Sequence, residues 1–125
     1  MKSFVGMMLG TAILVGLSPS ASVAQSAAPS YTADPSVYKV IFEDANLRVI
    51  AVDRKKGVFD KLHSHLLSGI VYNITDCKTK LASPDGKSDV RDTKAGTVQA
   101  TPVTPGHTAE NIGTEDCKQI LVEKK

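Results

Sequence analysis

The apolar positions of this chain fall into short runs of strand length, and none sustains a helical period. Residues 38–42 (Tyr-Lys-Val-Ile-Phe) and 47–52 (Leu-Arg-Val-Ile-Ala-Val) are rich in β-branched side chains. The turn-forming Glu43, Asp44, Ala45 and Asn46 separate them. Further strands are predicted over residues 62–65, 70–75, 78–82, 96–101 and 117–123. Residues 87–95 are polar and loosely alternating, as an exposed strand would be. Ser83, Pro84, Asp85 and Gly86 form a hairpin-turn signal, and Asn111, Ile112 and Gly113 turn the chain again. Arg54, Lys55, Lys56 and Gly57 read as a basic, solvated turn, with an anion patch as the sharper alternative. There is no internal repeat and no low-complexity segment. Many short strands punctuated by turns predict an all-β sandwich or barrel.

The N-terminus breaks this pattern. Lys2 precedes an almost wholly apolar run over residues 4–17, long enough for a secretory signal and short for a membrane span. Small residues follow, and cleavage after Ala24 is expected, making residues 1–24 a signal peptide. The mature protein is then secreted or periplasmic, with no membrane attachment after cleavage. Residues 25–36 are rich in Ala, Ser and Pro without apolar periodicity, and read as a flexible leader. Residues 37–125 remain as one small domain able to bury a modest core. The formal charge of +2 is nearly balanced, and no basic run is interleaved with aromatic residues, so nucleic acid is not an expected partner.

The chain has 3 histidines, His63, His65 and His107. The i, i+2 spacing of His63 and His65 sends both side chains to one face of a strand. Two adjacent imidazoles joined by a third from a distant strand make one face of a metal site. Each could instead be a polar group satisfied within the fold, which is the ordinary role of an isolated histidine.

The residues around these histidines resemble the two motifs of the cupin superfamily. The first motif runs Gly, five residues, His-x-His, three or four residues, Glu, six residues, Gly, and Gly57, His63 and His65 match it. The second runs Gly, five residues, Pro-x-Gly, two residues, His, three residues, Asn, and Gly96, Pro102, His107 and Asn111 match it. Residues 42–50 also resemble the first hairpin of small one-domain cupins. The chain departs from the motifs at three points. The glutamate would fall at Gly69 or Ile70, the closing glycine of the first motif at Asp76 or Cys77, and the glycine of the second motif at Thr104.

The resemblance implies a cupin-type jelly-roll β-barrel. The motif strands would be neighbours, so that His107 reaches His63 and His65 inside the barrel. It implies a divalent metal ion held by the three histidines, with Fe, Zn, Mn, Ni and Cu all acceptable to imidazole. Without the glutamate the ion's charge is uncompensated, which favours anionic ligands at open positions. In this respect alone the chain is similar to thiol dioxygenases, cupins that hold iron through three histidines. The family includes enzymes and plain binding proteins, so several functions follow. One is a metal-dependent oxygenase, lyase or isomerase acting on a small organic acid or thiol. Another is a non-catalytic protein that binds a small-molecule ligand in the barrel. The third is a barrel that has lost its metal. No catalytic residue stands out. Asp60 reads as a loop residue or as an acceptor behind His63, Glu110 falls on the face opposite His107, and Asn111 as a backbone-bonding turn residue.

An exported chain with two cysteines is a candidate for one disulfide. In the jelly roll, the strand after His-x-His pairs with the final strand, which brings Cys77 and Cys117 together. The other reading is a thiol site, with Cys77 at the position of the closing glycine. Finally, Ile70, Tyr72 and Ile74 share one strand face. If residue 69 faces inward, that row faces outward and invites a homodimer.

Overall fold

The computed structural model describes Gly16, Ser20 and residues 25–125, so the proposed signal peptide lies outside the described residues apart from those two positions. Nine strands and one helical turn follow in order: α1 (Ser30–Ala33), β1 (Tyr38–Glu43), β2 (Leu47–Arg54), β3 (His63–His65), β4 (Gly69–Asn73), β5 (Cys77–Ala82), β6 (Ser88–Thr93), β7 (Val98–Thr101), β8 (Thr104–Asn111) and β9 (Cys117–Lys124). They form a five-stranded sheet, β1-β2-β9-β4-β7, facing a four-stranded sheet, β3-β8-β5-β6. All strand pairs are antiparallel. This is the jelly-roll barrel expected of the sequence.

The core sits against the five-stranded sheet. Alternation along β2 buries Ile50, Val52 and Arg54 on one face. Along β9 it buries Cys117, Leu121 and Glu123. Val37, Tyr38, Ile50, Val52 and Leu121 form the buried cluster, with Val40 and Val71 packed on it. The hairpin expected at residues 83–86 closes between β5 and β6: Ser83 N–H donates to Lys87 O (2.8 Å), and Gly86 adopts φ +87°, a left-handed conformation that glycine takes freely.

Two expectations need correction. The first is the flexible leader. Ala27 N–H donates to Pro105 O and Ser64 N–H donates to Ala28 O (2.9 and 2.8 Å). Ser30 and Asp34 are buried, and Tyr31 stacks on Arg48, with the guanidinium carbon 4.7 Å from the ring centroid. The segment is a strap across β3 and β8, tied by backbone bonds that an Ala/Ser/Pro composition does not advertise. The second concerns β8, implied by the resemblance as the strand of the second motif but absent from the strands predicted from the apolar pattern: it spans Thr104–Asn111 and runs through Pro105, which is exposed and whose carbonyl serves the strap.

Cys77 and Cys117 are disulfide-bonded, with Cα atoms 5.1 Å apart, which excludes the thiol site. The bridge joins the start of β5 in one sheet to the start of β9 in the other. Ile70, Tyr72 and Ile74 lie on the outside of the barrel, 42–47% exposed, as the inward setting of residue 69 required.

Candidate metal centre

His63 and His107 are direct partners across β3 and β8. The register then slips, so that His65 stands opposite Thr104. A bulge of this kind re-aims a side chain, and here it keeps His65 beside the other two. The ring centroids of His63 and His107 are 4.4 Å apart, and His65 lies 5.0 and 5.2 Å from them. One nitrogen from each ring can be chosen so that all three lie within 4.8 Å of one another, an arrangement able to hold a metal ion.

The electrostatics keep His63 and His107 neutral. Burial pushes His63 below its ordinary pKa. Burial, then the neighbouring His63 and His65, pushes His107 down to about 3. A neutral imidazole is the form that ligates metal. His63 Nδ1–H donates to Lys61 O (2.7 Å), which leaves Nε2 with the lone pair. His107 Nδ1 is buried without a hydrogen-bond partner, as a lone pair intended for a ligand would be. The donor set therefore fits a divalent ion.

Behind His63 lies a buried network. Arg54 Nη2 donates to Tyr38 Oη (2.6 Å) and to Asp60 Oδ2 (3.0 Å). Tyr38 Oη donates to Asp60 Oδ2 (2.7 Å) and also lies 3.1 Å from His63 Nε2. Burial raises the Tyr38 pKa far above its usual value, against the pull of Arg54, so it remains a phenol. Ala109 N–H donates to Asp60 Oδ1 (2.6 Å). Asp60 is therefore neither an exposed loop residue nor a ligand. It anchors β8 to β1 and β2.

Arg54 corrects the reading of a solvated basic turn: its side chain is 4% exposed and ion-paired to Asp60. Lys55, Lys56 and Gly57 of that run are exposed. Asn111 donates to Arg54 O (3.0 Å) and Glu115 O (2.8 Å), the turn-closing role expected of it. Glu110 pairs with Lys80 across β5 and β8, outside the cluster.

Neither candidate position for the motif glutamate can supply a carboxylate to the histidine cluster. Ile70 points outward. At Gly69 a Cβ would overlap the Val122 carbonyl on β9, so this position has room only for glycine. The site also includes residues that spacing alone missed, namely Tyr38, Arg54 and Glu123. Their signal was the strand period: Arg54 continues the inward series of Ile50 and Val52, and Glu123 that of Cys117 and Leu121.

A cavity of about 350 Å³ opens beside the histidines. His65 and His107 border it, with Val52, Val71 and Leu121 on one side and Arg91 on β6 on another. Among the described residues no helix is long and apolar enough to cross a membrane.

No protein-family model matches the sequence, and no curated protein matches it. Solved structures do match. A cupin domain from Bordetella pertussis Tohama I is 17% identical with a TM-score of 0.65, covering 83% of this chain and 99% of its own. A cupin superfamily protein from Desulfitobacterium hafniense DCB-2 is 7% identical, with a TM-score of 0.53 over 70% of this chain and 75% of its own. A Cupin 2 conserved barrel domain protein from Salinispora arenicola CNS-205 is 20% identical, with a TM-score of 0.51 over 68% and 71%. At such identities the likeness speaks for the fold alone. The barrel that carries the three-histidine cluster has the fold of the cupin superfamily.

Proposed function

We propose that this protein is an exported small cupin that binds one divalent metal ion through His63, His65 and His107 and acts on, or captures, a small anionic molecule in the adjoining cavity. One observation carries the reading: three imidazoles converge beside the cavity, His65 and His107 bordering it, and among the described residues no carboxylate joins the cluster as a further ligand. An ion held in this way keeps open positions and unneutralised charge. When bound, the ion would supply Lewis-acid polarisation or oxygen activation. The chain's own residues do the rest. Lys61 O and the Arg54–Asp60–Tyr38 network orient His63, and Val52, Val71 and Leu121 make the inner wall apolar. Lys87 and Arg91 border the cavity together with Asp89, and the excess of cations over that one carboxylate favours a carboxylate or thiolate ligand. Fe, Zn, Mn, Ni and Cu all suit the donor set. The Cys77–Cys117 bridge supports an oxidising compartment, secreted or periplasmic.

The test uses protein purified without chelator or nickel resin. Elemental analysis is expected to find about one divalent ion per chain, and His107→Ala is expected to lose it. A cobalt(II)-loaded sample is expected to change its visible spectrum on addition of small carboxylates or thiols. Equal, negligible metal in the wild type and His107→Ala would leave a barrel without a metal function. Metal binding with no turnover across acids and thiols would favour the non-catalytic binding protein.

A further inference from the structure

We propose that Glu123, on β9, replaces the motif glutamate not as a ligand but as the carboxylate that positions His65 and offsets the charge of the bound ion. The inference rests on the metal-binding reading above. Glu123 Oε1 lies 3.5 Å from His65 Nδ1. The Glu123 side chain is 4% exposed, and that of His65 13%. A carboxylate here accepts the Nδ1 proton and holds the ring in the tautomer whose Nε2 carries the lone pair, the carboxylate–histidine–metal arrangement that fixes ligand orientation and raises basicity.

The position of Glu123 is tied to the missing residue. Gly69 on β4 is the direct cross-strand partner of Glu123 on β9. The space a Gly69 side chain would need is filled by Val122 O, with Glu123 Cα 3.0 Å from the Cβ position. The carboxylate has thus moved one strand sideways on the inner face. From β9 it reaches the far side of the His65 ring rather than the convergence point of the three lone pairs, and it lies outside that cluster.

The rest of the carboxylate is held still. Arg48 Nη1 donates to Glu123 Oε2 (3.1 Å), while Arg48 Nη2 donates to Glu43 (3.0 Å), which Lys125 also contacts (2.9 Å). Tyr31 of the strap covers the guanidinium. Arg48 has a partially exposed partner in Glu43 and does not need a second, buried one. A charge buried on the inner face is costly unless paired, and Oε1, the oxygen Arg48 leaves free, faces His65.

The experiment titrates metal-free wild type, Glu123→Gln, Arg48→Met and His107→Ala with zinc(II) against a chromophoric chelator. Nδ1/Nε2 protonation of His65 is read by imidazole nitrogen NMR, and folding by thermal unfolding of the metal-free proteins. The wild type is expected to bind one ion with His65 protonated at Nδ1. Glu123→Gln should bind one ion about 10–100-fold more weakly. Arg48→Met, which keeps the carboxylate and removes its other partner, should bind at least as tightly as the wild type. Glu123→Gln within threefold of a wild type that binds metal, or His65 protonated at Nε2, overturns the role of Glu123 alone. Should Glu123→Gln not fold, Arg48→Met decides: weakened binding in a folded Arg48→Met protein reduces Glu123 to a structural ion-pair partner. Zinc binding absent from the wild type overturns the metal reading itself, and this inference with it.

Discussion

The two sheets of this barrel divide the work. On the inner face of the five-stranded sheet, Val40, Ile50, Leu121 and Val71 form one cross-strand row from β1 to β4. The buried apolar cluster belongs to this sheet and the residue leading into it. The four-stranded sheet turns inward His63, Thr79, His107 and Ala109, and its edge strand β6 is exposed almost throughout. One sheet carries the hydrophobic stabilisation, and the other carries both strands that supply the ligands and the polar wall of the cavity. A small barrel cannot bury a second large core, so the ligand-bearing sheet depends on a few specific links to the apolar one. Asp60 and the disulfide are two such links, and Glu123 reaches across from the opposite side.

Breaking the first link should have the largest effect. Asp60 receives Arg54 and Tyr38 from the five-stranded sheet and the Ala109 amide from the other. Asp60→Ala strands a buried guanidinium and is expected to destabilise by about 3–5 kcal/mol. Urea unfolding measures this, and a loss below 1 kcal/mol would show the sheets to be held together without the network. The second link closes a sequence separation of 40 residues. The chain-entropy relation gives about 4 kcal/mol for a loop of that size. Reduction, or Cys77→Ser with Cys117→Ser, is expected to lower the unfolding midpoint accordingly. An unchanged midpoint would mean that the sheets dock independently of the bridge.

How much of this division could be read in advance follows from sequence distance. The histidines were legible because their spacing is a motif and their types are rare in the chain. Tyr38, Arg54 and Glu123 were not, because their partners lie 22, 6 and 58 residues away and only the folded register joins them. Arg54 was further masked by two genuinely solvated lysines beside it. The strands of the apolar sheet were read to within a residue or two at each end from β-branched alternation. The strap and the bounds of β8 were missed, because backbone hydrogen bonds hold them and side-chain pattern carries no record of these.

The acid response sharpens the same contrast. In the unfolded chain each histidine titrates near pH 6.5, whereas burial depresses His63 and takes His107 to about 3. Above pH 6.5 neither state holds the extra proton, and stability is at its plateau. As the pH falls below 6.5 the unfolded chain gains protons that the folded one refuses, so metal-free stability declines, by at most about 1.4 kcal/mol per unit for each such histidine. The decline from these rings ends as the folded-state values are passed. Between pH 6.5 and 5 the carboxylates contribute little, so denaturation across that window isolates the histidines. A folded His107→Leu variant should flatten the profile, and an unaltered slope would place the proton uptake elsewhere.

The outer faces extend the comparison to assembly, where the effect on folding is smallest. Two apolar ladders cross the outside of the five-stranded sheet. One runs Phe42, Val49, Val122, Ile70 and Ala100, and the other Ala51, Ile120, Tyr72 and Val98. The rim carries both signs, with Asp53 opposite Lys118 on the same pair of strands. The outer face of β6 carries Val90 and Asp92 instead, paired with Lys80 and Lys78 of β5. A flat apolar face whose rim offers both charges can meet its own copy around a two-fold axis, each rim cation facing a rim anion. A homodimer through this face is therefore the expected state. Ile70→Lys touches no buried group and should change stability by no more than about 0.5 kcal/mol. It should nevertheless shift the mass measured by sedimentation from two chains to one, while a paired Val90→Lys change on β6 leaves it at two. A wild-type mass of one chain at every concentration would leave this face without a second copy.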